Sequence, residues 1–318
     1  GVNLRSAKYH FFGENLSKEN YEERLKSFDL GSRSARDKLL AAFEKLKSNS
    51  IVKATQMTNT VNCVGDNLTN AKNCHMVFDG FELENIRYSA WIFTSRDVYD
   101  AFGMGGSELI YECISPEEVR NCKFSWVTDT SHDCEYTAMC QSSGELFGCV
   151  GVRLSEYCIL NKQYTKEEYK ELINQIKNDM DNNPYIDARG IVYKYGEFFP
   201  SELCSNAYNE SIAQEHFPLS QENTANLGFK WKEDTHRSYI STLTAENIPD
   251  NINDVQDSII DEIIACEHKS NCNHGCTTAF KITPEEFSFY KTQKIPIPSL
   301  CSNCRYHMRK TRKNPLKL

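Results

Sequence analysis

Cys266, Cys272, Cys276, Cys301 and Cys304 stand at spacings that suit a thiolate metal site: Cys266-x5-Cys272-x3-Cys276, a spacer of 24 residues, then Cys301-x2-Cys304. Tetrahedral Zn2+ takes four soft thiolate or imidazole ligands, and two short knuckles joined by a spacer deliver two each. The second knuckle is regular and the first is not. This reading gives Cys272, Cys276, Cys301 and Cys304 as the ligands, with Cys266 as the substitute and His268, His274 and His307 nearby. Four thiolates leave no open coordination position, so zinc held this way is structural and not catalytic. Disulfides or free thiols are the alternative use of the same residues.

Behind the second knuckle the charge reverses. On a chain of net charge -8, Arg305, Arg309, Lys310, Arg312, Lys313 and Lys317 follow with no acidic residue before Leu318. A basic strip beside a zinc knuckle can track phosphates, with Tyr306 and His307 placed to stack on bases. It can equally be a solvated tail, or dock on the acidic body of the same protein.

Other chemistry is thin. Outward candidates for acid and base groups are His75, Arg87, Tyr99, Asp100, Glu112, Glu135 and His132, read as forming neither paired carboxylates nor a Cys-His pair. Gly103-Met104-Gly105-Gly106 reads as a turn, because no capped amphipathic helix follows it as a phosphate loop requires. His216 lies in an aromatic-rich run ending Phe217-Pro218-Leu219, where a packed or surface role is expected.

The elements that must position the cysteines have their own signals. Thr283, Pro284 and Glu286 start a short helix through Tyr290, and Ile295-Pro296-Ile297-Pro298 returns extended, which supports a ribbon. Val255, Ile259, Ile260, Ile263 and Ile264 stand at helical spacing ahead of Cys266.

Upstream lies a repeat of twelve residues: Cys74, Ile86, Val98, Ile110, Cys122, Cys134, Leu146 and Cys158. A second column (Phe78, Ala90, Phe102, Ile114, Trp126, Ala138, Val150) and an Asn/Asp column (Asn73, Asn85, Asp97, Asn121, Asp133) keep the same period. Fixed-period self-similarity marks a solenoid. Strand alternation predicts that the first column, the position two later (Met76, Tyr88, Phe124, Tyr136, Leu160) and the second column share the inner face. His75, Arg87, Lys123 and Glu135 then point outward, the Asn/Asp column marks corners, and stacked Cys fill a narrow interior. Twelve residues make one coil or half of a 24-residue coil.

The fold class is therefore mainly β, a parallel β-solenoid with 12-residue repeats, flanked by capping helices and a C-terminal zinc ribbon. Its parts are 1–50, the end of an upstream repeat module plus linking helices; 51–160, the solenoid; 161–250, a capping helix and irregular aromatic-rich segment; and 251–318, helix, ribbon and basic tail. Thr165 with Glu168 begins the capping helix, whose stripe is Tyr169, Leu172, Ile173 and Ile176. Lys8-Tyr9-His10-Phe11-Phe12 and Leu16 to Tyr21 parallel Glu156-Tyr157-Cys158-Ile159-Leu160 and Tyr164 to Tyr169, so a second module end is expected at the start, with an array before Gly1. Tyr21, Leu25 and Phe28, then Leu39, Leu40, Phe43 and Leu46 beyond Gly31, form two helical stripes. Fourteen cysteines in 318 residues, many needing no partner on the rungs, fit a reducing cytosol, and no apolar stretch reaches membrane-spanning length.

Leu146 to Leu154, Tyr157 to Tyr169, Gly196 to Pro200, Tyr208-Asn209-Glu210 through Phe217-Pro218-Leu219, Cys276 to Ile282 and Leu300 to Arg305 resemble an uncharacterised family of Cys-rich repeat proteins with zinc-ribbon ends. It is known mainly as predicted proteins of uncultured small-genome bacteria. The resemblance covers nearly the whole chain and implies a further Cys-rich array before Gly1 and more Cys past Leu318. Many members have Tyr where His216 stands. The family carries no known activity.

Two functions are expected from these features. The first is a non-enzymatic scaffold whose solenoid face meets a protein partner, with ribbon and tail contacting nucleic acid and an open solenoid edge allowing self-association. The alternative is an enzyme with a carbohydrate-active or transferase-like site on the solenoid face.

Overall fold

The computed structural model describes residues 2–233, 239–269, 271–272 and 275–316, so His274 and Lys317 lie outside the described residues. Helices α1 (Lys18–Lys26), α2 (Arg33–Ser48), α3 (Lys166–Asn182), α4 (Ile212–His216), α5 (Gln221–Asn226), α6 (Pro284–Gln293) and α7 (Ser302–Lys310) accompany a parallel β-solenoid from Met57 to Ile159. The chain divides into two units, Thr55–Glu233 with Asn314–Leu318, and Gly1–Ala54 with Asp234–Lys313. Segments that the sequence reading keeps apart, the first fifty residues and the cysteine region, thus share one unit.

The solenoid pairs each residue with the one twelve later: Val98 with Ile110, Cys122 with Cys134, Leu146 with Cys158. Twelve residues are one whole coil. Side chains do not alternate along it. Every third residue instead has a left-handed φ, as at Asn73 (55°), Met76 (54°), Asp79 (54°) and Glu82 (57°), and the four positions recur down to Tyr157 and Leu160. Each coil is a quadrilateral, with three residues per side and one corner at its end. Each side turns one residue inward, so Cys74, Val77 and Leu83 are buried, and Ile86, Ile92 and Val98 follow them.

This corrects the alternating register. Met76, Tyr88, Phe124, Tyr136 and Leu160 are corners, and the second column faces outward, with Trp126 43% and Val150 59% exposed. Gly103 and Gly106 are two of the same corners (φ 69° and 61°), and Met104 between them is buried. The Asn/Asp column is at corners as expected, where short polar residues tolerate the left-handed conformation best. Its amides also link coils: Asn73 Nδ2 donates to Asn85 Oδ1 at 3.1 Å and Asn85 Nδ2 to Asp97 Oδ1 at 2.9 Å.

Inward hydroxyls resolve the polar backbone of so narrow a core. Ser95 Oγ donates to Phe93 O at 2.8 Å and accepts from Ser107 N at 3.2 Å, and Ser107 repeats the pattern with Gly105 O and Val119 N. Cys113, Cys122, Cys134, Cys140, Cys149 and Cys158 complete the interior as free, buried thiols, in keeping with a filling role. Burial pushes Cys113 up to about 12, so it stays protonated and inert.

After the last coil, Lys162–Gln163 folds back antiparallel on Glu156–Ile159 and covers its edge. The α3 helix begins with the expected capping box at Thr165 and Glu168. It lies along the side of the coils and not across their end: Lys177 Nζ reaches Glu135 Oε2 at 2.9 Å, and Tyr195 Oη donates to Glu135 Oε2 at 2.9 Å. Phe124, Tyr136, Phe147 and Ile159, stacked over successive coils, are buried with Tyr169 beneath this cover.

In the other unit, His10–Phe11 pairs antiparallel with Glu14–Asn15 before Ser17 caps α1, matching the hairpin and cap that precede α3. Asn3, Ser6, Tyr9 and Phe12 also have left-handed φ at three-residue spacing. At the start of α2, Arg33 N donates to Asp250 O at 2.9 Å and Ser34 N to Asp250 Oδ1 at 2.8 Å. No α2 residue is fully buried, and its stripe of Leu39, Leu40, Phe43 and Leu46 is half-buried. The predicted helix before Cys266 does not form: Ile252–Asp254 and Asp257–Ile260 are 3-10 turns and Ile264–Ala265 is a strand.

The three-residue register is open to test. Leu146→Ala, at a position with no exposure, is expected to cost about 2–5 kcal/mol in denaturant unfolding, whereas Val150→Ala should stay within about 0.5 kcal/mol. Thr130→Asn, at an exposed left-handed corner (φ 47°), should raise stability by up to about 1 kcal/mol. Equal losses for Leu146 and Val150 would overturn the register.

Candidate metal centre and cationic groove

Ile264–Ala265 pairs antiparallel with Ala279–Phe280, and Cys266 N donates to Thr278 O at 2.8 Å, so Cys266 leaves the hairpin facing its other arm. Glu267 N then donates to Ser299 O at 3.0 Å, which lays the Pro296–Ser299 strap alongside. The strap delivers Cys301 as the N-cap of α7 and Cys304 into its first turn. Between the knuckles, α6 carries the expected Thr283–Glu286 capping box with Pro at its start.

The sulfurs of Cys266, Cys276, Cys301 and Cys304 all lie within 4.8 Å of one another. Cys266 to Cys304 is 3.9 Å and Cys276 to Cys301 is 4.0 Å. Zinc–sulfur bonds of ~2.3 Å in a tetrahedron require sulfur separations of about 3.8 Å. The set therefore fits a tetrahedral ion, and Cys301 N to Cys266 Sγ (3.3 Å) and Thr278 N to Cys276 Sγ (3.4 Å) supply the amide donors that buried thiolates need.

The sulfurs group differently from the choice made from spacing. Cys266, kept there as the substitute, belongs to the four, and Cys272 does not. The antiparallel hairpin brings residue 266 across to residue 278 regardless of the chain distance between knuckles. Cys272 sits beside the set, 3.7 Å from Cys304 Sγ and grouped with His268.

The electrostatics divide the thiols. Burial works to raise Cys301, but the Cys304 backbone N–H and the Thr277 backbone and hydroxyl outweigh it and bring it down to about 6. Cys266 is pushed up to about 11, chiefly by burial, and burial with neighbouring thiols raises Cys304 as well. A metal must displace the protons of the raised thiols.

The basic strip is less uniform than its sequence suggests. Arg305 is engaged, donating to Tyr290 Oη at 3.1 Å and facing Glu286 at 3.9 Å. Arg309 and Arg312 are exposed, as is Lys313. A groove of about 1010 Å3 lies between α2 and the strap with α7; Arg33, Arg36, Arg305 and Arg312 line it with Asp37, Glu246 and Glu267, over Leu39, Phe43 and Met308. Arg33 also holds the strap, donating from Nη2 to Ile297 O at 2.9 Å. Among the described residues, no ion pair involves Arg36, Arg309 or Arg312. The sequence reading did not single out Arg33 and Arg36. The available signal was weak: basic residues at the start of an amphipathic helix more than 250 residues before the knuckle.

On the solenoid, His75, Arg87 and Tyr99 face outward and line a hollow of about 390 Å3 with the Asn73–Asn85–Asp97 corner. The later coils of that side lie under α3, where Glu135 is tied to Lys177 and Tyr195. Asp100 and Glu112, read as unpaired from sequence, occupy the same corner of neighbouring coils. Burial raises both, and the Glu197 and Asp100 charges add to the rise at Glu112. His132 pairs with Asp133 at 3.0 Å. His216 packs edge-on against Trp91 and Phe102, 6.0 and 5.9 Å between ring centres, as a packing role predicts.

Cys266→Ser should lower metal affinity at least about tenfold and unfold the cysteine-bearing unit while the solenoid's β circular dichroism persists. Metal loading should weaken as pH falls, by about tenfold per pH unit for each proton displaced. Co2+ absorbance followed against pH measures both, and pH-independent loading would contradict the thiol assignment. No protein-family model matches the chain, and no curated protein matches it.

Proposed function

We propose that the chain is a non-enzymatic binding protein, that its four-thiol site holds structural zinc, and that the groove beside it takes single-stranded nucleic acid. The observation that carries this reading is the convergence of arginines from both ends of the chain on one groove. Arg36 comes from α2 and Arg312 from beyond α7, with Arg309 nearby in sequence on α7 itself. The arginines outnumber the groove's carboxylates, Asp37, Glu246 and Glu267, by one, and arginines over apolar and aromatic side chains suit single strands, whose phosphates follow the cations and whose bases stack.

Zinc has a mechanical part in this proposal. The strap ending at Cys301 and the helix starting there form one wall of the groove, so fixing Cys301 and Cys304 to Cys266 and Cys276 fixes that wall. Such a closed thiolate site supplies folding energy and not catalysis. The hollow over His75, Arg87 and Tyr99 is the proposed surface for a protein partner, and the free thiols fit a reducing compartment.

A second reading, acid–base catalysis, rests on the raised carboxylates Asp100 and Glu112. Neither lines the hollow under His75, Arg87 and Tyr99, and a catalytic pair needs an enclosed site. The binding reading is therefore preferred.

The test is fluorescence anisotropy of labelled single-stranded DNA and RNA against the zinc-loaded protein. Contacts from Arg36, Arg309 and Arg312 predict a log–log salt slope of about -2. Arg36→Glu with Arg312→Glu should weaken binding about tenfold or more, and chelation should abolish it. Salt-insensitive binding, or none at low salt, would exclude the nucleic-acid reading and leave a protein ligand for the groove.

A further inference from the structure

Cys304 belongs to two ligand sets at once. Besides the four thiols, His268, Cys272 and Cys304 present donor atoms that all lie within 4.8 Å of one another. Cys272 Sγ is 3.7 Å from Cys304 Sγ, as close as the 3.9 Å that separates Cys266 from Cys304. A thiolate sulfur keeps lone pairs after binding one metal and can bind another. One sulfur shared by two donor sets is thus the geometry of a bridge.

Charge favours the same arrangement. Four thiolates around one dication carry two net negative charges in a largely buried cluster. Adding the Cys272 thiolate, the neutral His268 imidazole and a second dication leaves one. No electron transfer is involved: each incoming dication replaces thiol protons, which leave to solvent.

We propose that His268, Cys272 and Cys304 hold a second divalent, thiophilic metal ion, bridged through Cys304 Sγ to the ion in the four-thiol site. The proposal rests on that site being a metal centre. It accounts for a fifth cysteine and a histidine that a mononuclear site leaves over. Three protein donors fill three of the four positions that a tetrahedral ion offers, so the two ions differ: the first is closed by protein, and the second keeps one position for an outside ligand.

The experiment is native mass spectrometry of the full chain equilibrated with Zn2+, and separately with Cd2+, with far-UV circular dichroism as the control for folding. Two ions per wild-type chain are expected, and one for Cys272→Ala and for His268→Ala with the dichroism unchanged. Cadmium-113 NMR of the wild type should give two resonances, of which the variants lose one. One ion per wild-type chain at saturating metal would overturn the second site while keeping the first, and would make Cys272 an alternate ligand of a single centre. No ion at all would overturn the four-thiol site as well. Should either variant fail to fold, the wild-type stoichiometry and its cadmium resonances still decide the matter.

Discussion

A left-handed residue at every third position is the constraint on which the rest of the solenoid depends. It breaks each coil into four sides of three residues, and each side then has room to send one side chain inward. The enclosed space is narrow. From Cys74 to Cys158 the inward positions hold Cys, Ser, Thr, Ala, Val, Ile, Leu, Met, Pro and Gly, and none is aromatic or charged. Gly80 marks the limit of that space, since a Cβ there would come within 2.7 Å of Ile92 O. Aromatic residues are displaced to corners and outer sides, where they need cover from elsewhere. Phe124, Tyr136 and Phe147 receive it from α3 and its following segment, and Trp91 and Phe102 receive part of theirs from His216.

The twelve-residue period was legible because each coil repeats its hydrogen-bonding environment, so residue types recur in register. The inner face was not. Strand alternation assumes extended backbone throughout, and a left-handed residue after every second extended one resets the direction of the next side chain. The Asn/Asp column carried that information, being the corner whose chemistry announces its conformation. The other three corners carry occasional signals, such as Asp79, Gly103 and Gly106, among residues such as Met76, Glu82 and Trp91 that announce nothing. Around the metal site, Thr283, Pro284 and Glu286 gave a helix start that local chemistry alone decides. Cys266 ranked as the alternative on spacing, because its neighbours are set by the pairing of Ile264–Ala265 with Ala279–Phe280 and not by chain distance. The isoleucines of 255–264 repeat at a spacing that suits a helix, yet they serve a 3-10 turn and a strand.

Within the cysteine-bearing unit, sulfur cluster and groove are mechanically one object. The unit's apolar cluster, built on Ile252, Ile264, Ile282 and Ile297, is small, and a separate cluster of Cys266, Leu300, Cys301 and Cys304 closes the other end of the strap. A strap held at Ile297 by packing and by Arg33, and at Cys301 by sulfur, has little freedom between. Arg33 therefore works at two levels, fixing the strap through Ile297 O and lining the groove that the strap bounds.

The two cysteine populations show how far environment decides what one residue type does. Inside the solenoid, thiols meet carbonyls: Cys149 Sγ donates to Phe147 O at 3.5 Å and Cys134 Sγ to His132 O at 3.2 Å. An acceptor beside a thiol favours the protonated form, and burial raises Cys113, Cys140 and Cys149 further, whereas the Cys134 thiol lowers Cys122. In the metal centre, sulfurs meet amides, with Cys266 accepting from Cys301 N and Cys276 from Thr278 N. The amide donors at the start of α7 favour a thiolate there, which burial alone would not allow. Rung amides reach sulfur too, Asn161 N donating to Cys149 Sγ at 3.5 Å, but among the described residues no rung thiols group as a metal-sized set. The solenoid buries its thiols as filling, and the four sulfurs that could hold a metal ion lie where a helix start and a hairpin place amides against them.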